Sequence, residues 1–174
     1  MSSMTWSKDA AEALADAGVD LIAYLPDSKM DALIDEVVDD SRFETVLVSR
    51  EEEAIGVLVG AWVGGDRGAL LCQSSGLANT FNAIGSLSVP ARVPFLGAVT
   101  RRGNLGEFNI AQVPAGYNMD KLLDDVGVRN SVVTDSEDLR ETVALAGETA
   151  FSTQSPYVVL LEQTVTGRKS EATE

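Results

Sequence analysis

Any chemistry in this chain has to be done without histidine. The 174-residue sequence has none, which removes His-dependent nucleophile triads, the usual zinc sites and imidazole general bases. Carboxylates, hydroxyls, one thiol or a bound cofactor remain. The longest run of acids is Glu51-Glu52-Glu53, suited to proton transfer if one carboxyl faces a cleft. Equally, acids in a first helical turn complement the helix dipole, worth about 0.3–1 kcal/mol each. Gln73-Ser74-Ser75-Gly76-Leu77-Ala78-Asn79-Thr80 combines side-chain amides, hydroxyls and a glycine. It reads either as a backbone wall that a planar ligand can approach closely or as a serine-capped helix start. Cys72 sits in the apolar run Ala69-Leu70-Leu71-Cys72, as a buried core thiol does, and has no second cysteine to pair with.

Charge is unevenly spread. The net charge is -14 and the pI is near 4.3, so a nucleic-acid partner bound through a general basic surface is excluded. Residues 1–53 hold 14 acids and 4 bases, whereas Arg67 to Gly106 holds Arg67, Arg92, Arg101 and Arg102 with no acid at all. The first reads as solvated helix faces; the second is a candidate local anion site.

Apolar spacing supplies the elements that must position these residues. At 45% apolar and 6% aromatic, the chain is long enough for one domain with a real core. Strands are expected at 20–25, 43–49, 69–73, 93–99, 131–133 and 157–162. Helices are expected from a Ser7 cap to Gly18, from a Ser28 cap through Val37, and over 52–63, 77–86, 119–126 and 137–151. Six short strands interleaved with helices predict a three-layer, doubly wound α/β fold: a six-stranded, mostly parallel sheet with helices on both faces. Ligands in such sheets meet the residues just beyond the carboxyl ends of the strands. These are Pro26-Asp27-Ser28, Arg50 to Glu53, Ser74-Ser75-Gly76 and a loop of roughly fifteen residues after Thr100, long enough to suggest function. Residues 164–174 read as a polar tail. The N-terminus lacks an apolar signal segment and no window is long enough to span a membrane, so a cytoplasmic address is expected.

Neither a G-x-G-x-x-G fingerprint nor a P-loop follows any strand, which argues against dinucleotide and NTP binding. A flavodoxin-like reading is weak for the same reason. Instead the order of motifs resembles the pyrimidine-binding (PYR) domain of thiamine diphosphate enzymes, and within it the sulfopyruvate and phosphonopyruvate decarboxylases. The motifs are Leu-Pro-Asp-Ser after the first strand, Arg-Glu-Glu-Glu-Ala-Ile-Gly with Gly60-Ala-Trp, Gln-Ser-Ser-Gly-Leu-Ala-Asn-Thr, and Arg102-Gly-Asn-Leu-Gly-Glu-Phe with Ala-Gln-Val-Pro-Ala-Gly. Several in the right order, over residues 5–163, are far more specific than any one.

The resemblance implies that Glu51 is the family's catalytic glutamate, which hydrogen-bonds the aminopyrimidine ring and promotes its imino form so that the thiazolium carbon loses its proton. It implies Pro26, Ser75, Gly76, Leu77 and Asn79 as cofactor neighbours. It places Ser28, Arg101, Arg102 and Gln112 where substrate contacts are built, with Ser28 alternatively a helix cap and the arginines alternatively interface residues. The implied activity is that of the α subunit of a decarboxylase for 3-sulfopyruvate or 3-phosphonopyruvate, giving the aldehyde and CO2. No Gly-Asp-Gly occurs in the chain, so magnesium and the diphosphate are expected on a separate β subunit, with the PYR domains also self-associating. Two departures are Ser-Ser-Gly-Leu in place of the larger family's Ser-Gly-Pro-Gly, and Ala115 where a larger residue is expected. The alternatives from other classes are a non-catalytic PYR-like binding or regulatory module, and a decarboxylase subunit for another 2-oxo acid.

Overall fold

Alternation along the strands sorts side chains to two faces, and both faces are covered. In the computed structural model, which describes residues 5–167, Ala69 and Leu71 enter one core while Leu70 and Cys72 enter the other. A strand apolar on both faces belongs in the middle of a parallel sheet.

The elements run α1 (Thr5–Asp16), β1 (Leu21–Tyr24), α2 (Asp31–Val38), β2 (Glu44–Leu47), α3 (Glu51–Gly64), β3 (Gly68–Gln73) and α4 (Ser74–Asn79). There follow α5 (Phe81–Ala83), a π-helical segment (Ile84–Ser88), α6 (Val89–Ala91), β4 (Leu96–Thr100), a 3-10 turn (Ile110–Gln112) and α7 (Val113–Tyr117). Then come α8 (Met119–Asp125), β5 (Arg129–Val133), α9 (Leu139–Thr153), β6 (Tyr157–Leu161) and α10 (Gln163–Thr166). The six strands form one sheet in the order β2-β1-β3-β4-β6-β5. Every pairing is parallel, so the sheet is entirely rather than mostly parallel. Helices α1, α2 and α9 cover one face, and α3, α4 and α8 the other.

The chain moves outward from β1 to β2, then returns through α3 to β3 on the other side of β1. This reversal opens a crevice at the carboxyl ends of β1 and β3. Helix α3 seals it from one face, with Ala54, Ile55 and Leu58 packed against Ala23, Leu70 and Leu77. The first residue of α3 is thereby carried to the carboxyl end of β3.

Four expectations are revised. The long loop contains a 3-10 turn and α7, because Pro114 fits a first helical turn. Ser74 to Gly76 is no turn: α4 starts directly at Ser74. Ser28 does not cap α2; Asp27 takes the amide of Lys29 on Oδ1 at 3.0 Å and the helix begins at Asp31. The expected polar tail begins with a helical turn, α10, whose Val165 is buried in the core.

Candidate active site

The three adjacent glutamates are separated by what each touches. Glu53 turns back over the start of α3, where its Oε2 accepts the amides of Ser49 at 3.0 Å and Arg50 at 3.2 Å, the reciprocal half of a capping box. Glu52 pairs with exposed Arg50 at 2.8 Å. Glu51 alone crosses to β3 and α4. Replacing Glu53 by Ala is therefore expected to lower stability by about 1 kcal/mol, whereas Glu52→Gln should stay within about 0.5 kcal/mol of the parent. Paired urea titrations check the difference; equal effects would mean that the capping contact is absent in solution.

The seat of Glu51 is made by a missing side chain. A Cβ on Gly76 would lie 2.1 Å from Glu51 Oε1, 2.6 Å from its Cδ and 2.9 Å from its Cγ. The carboxyl thus lies directly against the backbone of α4. Its other oxygen, Oε2, is 3.5 Å from Asn79 Nδ2, at the outer limit of a hydrogen bond. Glu51 has no cation partner among the described residues, since Arg50 is turned to Glu52. Below lies Cys72, whose thiol is pushed far up from its ordinary pKa by burial and then by the charge of Glu51. It stays protonated and is part of the core.

The other expected site residues are spread over the same edge. Pro26 and Ser28 are exposed beyond β1, Ser75 is half-buried on α4, and Leu77 is fully buried, packed into the core. Gln112 stands at the end of the 3-10 turn, its Oε1 buried without a hydrogen-bond partner. Gln73 Oε1 and Thr100 Oγ1 are likewise unpaired, and these two residues are register partners at the ends of β3 and β4.

Arg101 and Arg102 are both buried and both neutralised from within. Arg101 donates to Gly116 O at 3.0 Å, to Tyr117 O and to Asp120 Oδ1 at 3.0 Å, and pairs with Glu162 at 3.3 Å. Arg102 meets Glu107 side-on, at 2.7 and 2.9 Å, and its amide donates to Ser74 Oγ at 3.0 Å. That ion pair, with two backbone amides, pulls the Glu107 carboxyl down to about 2 and pushes Arg102 up. An anion contact by either arginine requires displacement of an internal carboxylate. Glu162 and Asp120 went unselected from the sequence, and Ser74 and Glu107 appeared there only as members of an edge segment and a motif, with no role of their own. One signal was available: Glu107 is the first acid after the acid-free stretch.

Three comparisons bear on this arrangement. Residues 12–174 match the family described as pyruvate flavodoxin/ferredoxin oxidoreductase, thiamine diphosphate-binding. The chain belongs to this thiamine diphosphate-binding family. The sulfopyruvate decarboxylase subunit alpha of Methanococcus maripaludis is 35% identical, covering 91% of this chain and 95% of that one. The sulfopyruvate decarboxylase of Methanosarcina acetivorans is 31% identical over 88% of this chain but only 39% of its own length. The phosphonopyruvate decarboxylase of Streptomyces viridochromogenes is 34% identical over 93% of this chain and 41% of its own. Among solved structures, the Magnetococcus marinus 2-oxoglutarate:ferredoxin oxidoreductase superposes with a TM-score of 0.75 at 16% identity, over 95% of this chain and 31% of that one, a likeness of fold.

The geometry suits what this family binds. The bare side of Gly76 seats the Glu51 carboxyl, which has no cation beside it among the described residues and so keeps its proton-exchanging capacity for a bound group. No cluster of His, Cys, Asp or Glu among the described residues has the makings of a metal site, and no described helix is long and apolar enough to cross a membrane.

Proposed function

We propose that this chain is the α subunit of a thiamine diphosphate-dependent 2-oxo acid decarboxylase, acting on 3-sulfopyruvate or the closely similar 3-phosphonopyruvate. The observation that carries the reading is the Glu51 carboxyl laid on the backbone of Gly76 and within reach of Asn79. Thiamine diphosphate, when bound, supplies the nucleophilic carbon and the electron sink that decarboxylation of a 2-oxo acid needs.

The chain's own part is to hold a proton and shape a wall. Glu51 would hold the exchangeable proton on its carboxyl beside a ring nitrogen of the bound cofactor, and Asn79, 3.5 Å away, would keep that carboxyl in place. Pro26, Ser75, Gly76 and the backbone of Leu77 would line the place that holds the cofactor. Ser28 and Gln112, both polar and at the carboxyl edge of the sheet, meet the substrate. We assign Arg101 and Arg102 to shaping the loop that carries Gln112, because their charges are already spent on Glu162, Asp120 and Glu107.

Magnesium and the diphosphate belong to a partner β chain. Relatives named as α subunits match along nearly their whole length, while the single-chain enzymes extend well beyond the match, so the remainder is the natural source of the second domain. Self-association of the α chains is part of the same reading.

The test is co-expression with a chain equivalent to the remainder of the Methanosarcina acetivorans enzyme. CO2 release from 3-sulfopyruvate or 3-phosphonopyruvate is expected from the pair and not from either chain alone. A pair that assembles, binds the cofactor and decarboxylates neither acid would overturn the reading.

A further inference from the structure

We propose that Glu107 is a positioning residue whose carboxylate folds residues 103–117 into a preformed docking surface for the partner chain. The identity of the occupant rests on the decarboxylase reading above; the folding role does not.

Six donors converge on this carboxylate. Arg102 Nε and Nη2 approach at 2.7 and 2.9 Å, the amides of Gly103, Phe108 and Asn109 at 3.1, 3.2 and 3.0 Å, and Gln163 Nε2 at 3.3 Å. The side chain is 2% exposed. Left to itself this stretch would be loose, since Gly103 and Gly106 both sit at positive φ, 82° and 88°, and glycines enlarge the unfolded ensemble. Glu107 gathers it from the front, and Arg101 fastens its far end through Gly116, Tyr117 and Asp120.

Between these fastenings, apolar side chains are held in water. Leu105 is 72% and Ile110 85% exposed, with Phe108, Val113 and Tyr117 partly so. Five exposed apolar side chains within thirteen residues, on a segment ordered by a buried ion pair, mark an interaction surface. The occupant we commit to is the partner chain. The loop springs from the end of β4, on the same edge of the sheet as Glu51, and a shared site has to close there. The single-chain relatives also carry a further segment beyond the match that this chain would meet as a separate polypeptide. A loop ordered beforehand loses less entropy on docking.

The full-length chain and its Glu107→Gln and Ile110→Ser variants are to be compared by amide hydrogen exchange and by affinity for the chain equivalent to the remainder of the Methanosarcina acetivorans enzyme. In Glu107→Gln the amides of Gly103, Phe108 and Asn109 should exchange about tenfold faster or more, with β3, β4 and β6 still protected. Partner affinity should fall about tenfold or more. Ile110→Ser should weaken binding without changing exchange. Unaltered exchange in Glu107→Gln, or acceleration spread over the strands as in general destabilisation, overturns the positioning role. If Glu107→Gln does not fold, wild-type affinity in Ile110→Ser overturns the docking surface. A wild-type chain that binds no partner sinks the decarboxylase reading and the docking role together, whereas wild-type binding untouched by both variants sinks the docking role alone.

Discussion

Glu51→Gln should lower decarboxylation by the assembled enzyme by about 10²–10⁴-fold, the span that a positioned proton-transfer group contributes. Glutamine keeps the length of the side chain and its contact with Asn79, but it cannot give and take a proton. Neither neighbour can stand in. Glu52 is held outward by Arg50 at 2.8 Å, and Glu53 is tied to the amides of Ser49 and Arg50. Stability should change little: Glu51 opens α3, so losing its charge forfeits a helix-dipole contribution of about 0.3–1 kcal/mol. Initial rates of CO2 release, with thermal midpoints of the parent and variant α chains, check both halves. Activity within tenfold of the parent would show that another group moves the proton.

Gly76→Ala should be nearly as damaging to activity, by about 10²-fold, the scale of a displacement of roughly 1 Å at a reacting group. The added methyl would occupy the space of the Glu51 carboxyl, 2.1 Å from Oε1 and 2.9 Å from Cγ. The glutamate then has to swing off α4 and away from Asn79. The backbone at position 76 is helical, within α4, so alanine itself is well accommodated and offers about 0.5–1 kcal/mol of helix propensity in return. The expected signature is therefore a chain at least as stable as the parent that has lost its catalysis. The double variant Glu51→Gln, Gly76→Ala should be no worse than Glu51→Gln alone, because both act on one group. Multiplicative losses in that cycle would mean that Gly76 serves the cofactor independently of Glu51.

Much of this was open to view in one dimension. Period-two and period-3.6 patterns placed all six strands, and the β-branched, doubly apolar runs such as Ala69 to Cys72 already demanded a covered parallel sheet. Motif order picked Glu51 out of its triplet before any contact was known. The short helix at Val113–Tyr117 was not legible, because Val-Pro-Ala-Gly reads as a breaker unless one knows that the proline falls in the first turn, where its missing amide is harmless. Nor was Ser28 as a non-capping residue, since the amides of Met30 and Asp31 that a serine cap would have taken go to the backbone carbonyl of Asp27. Arg101 and Arg102 show the larger limit. Their setting in an acid-free stretch suggests an anion site, yet the neutralising carboxylates arrive from 5, 19 and 61 positions away in the chain.

What the amino-acid sequence determined by itself is what depends on local spacing: the alternation of strand and helix, the parallel sheet that this alternation demands, and the absence of imidazole. What only the tertiary structure decided is which side chains meet. Glu51 and Gly76 lie 25 positions apart and touch because α3 packs across β1 and β3. Two consecutive arginines just past the end of β4 bind different carboxylates, Arg101 those of Asp120 and Glu162 and Arg102 that of Glu107, because folding brings those acids to different sides of the loop start. Residue type sets what a group can do chemically, while the charges and backbone brought beside it by folding set whether that capacity is free or already used.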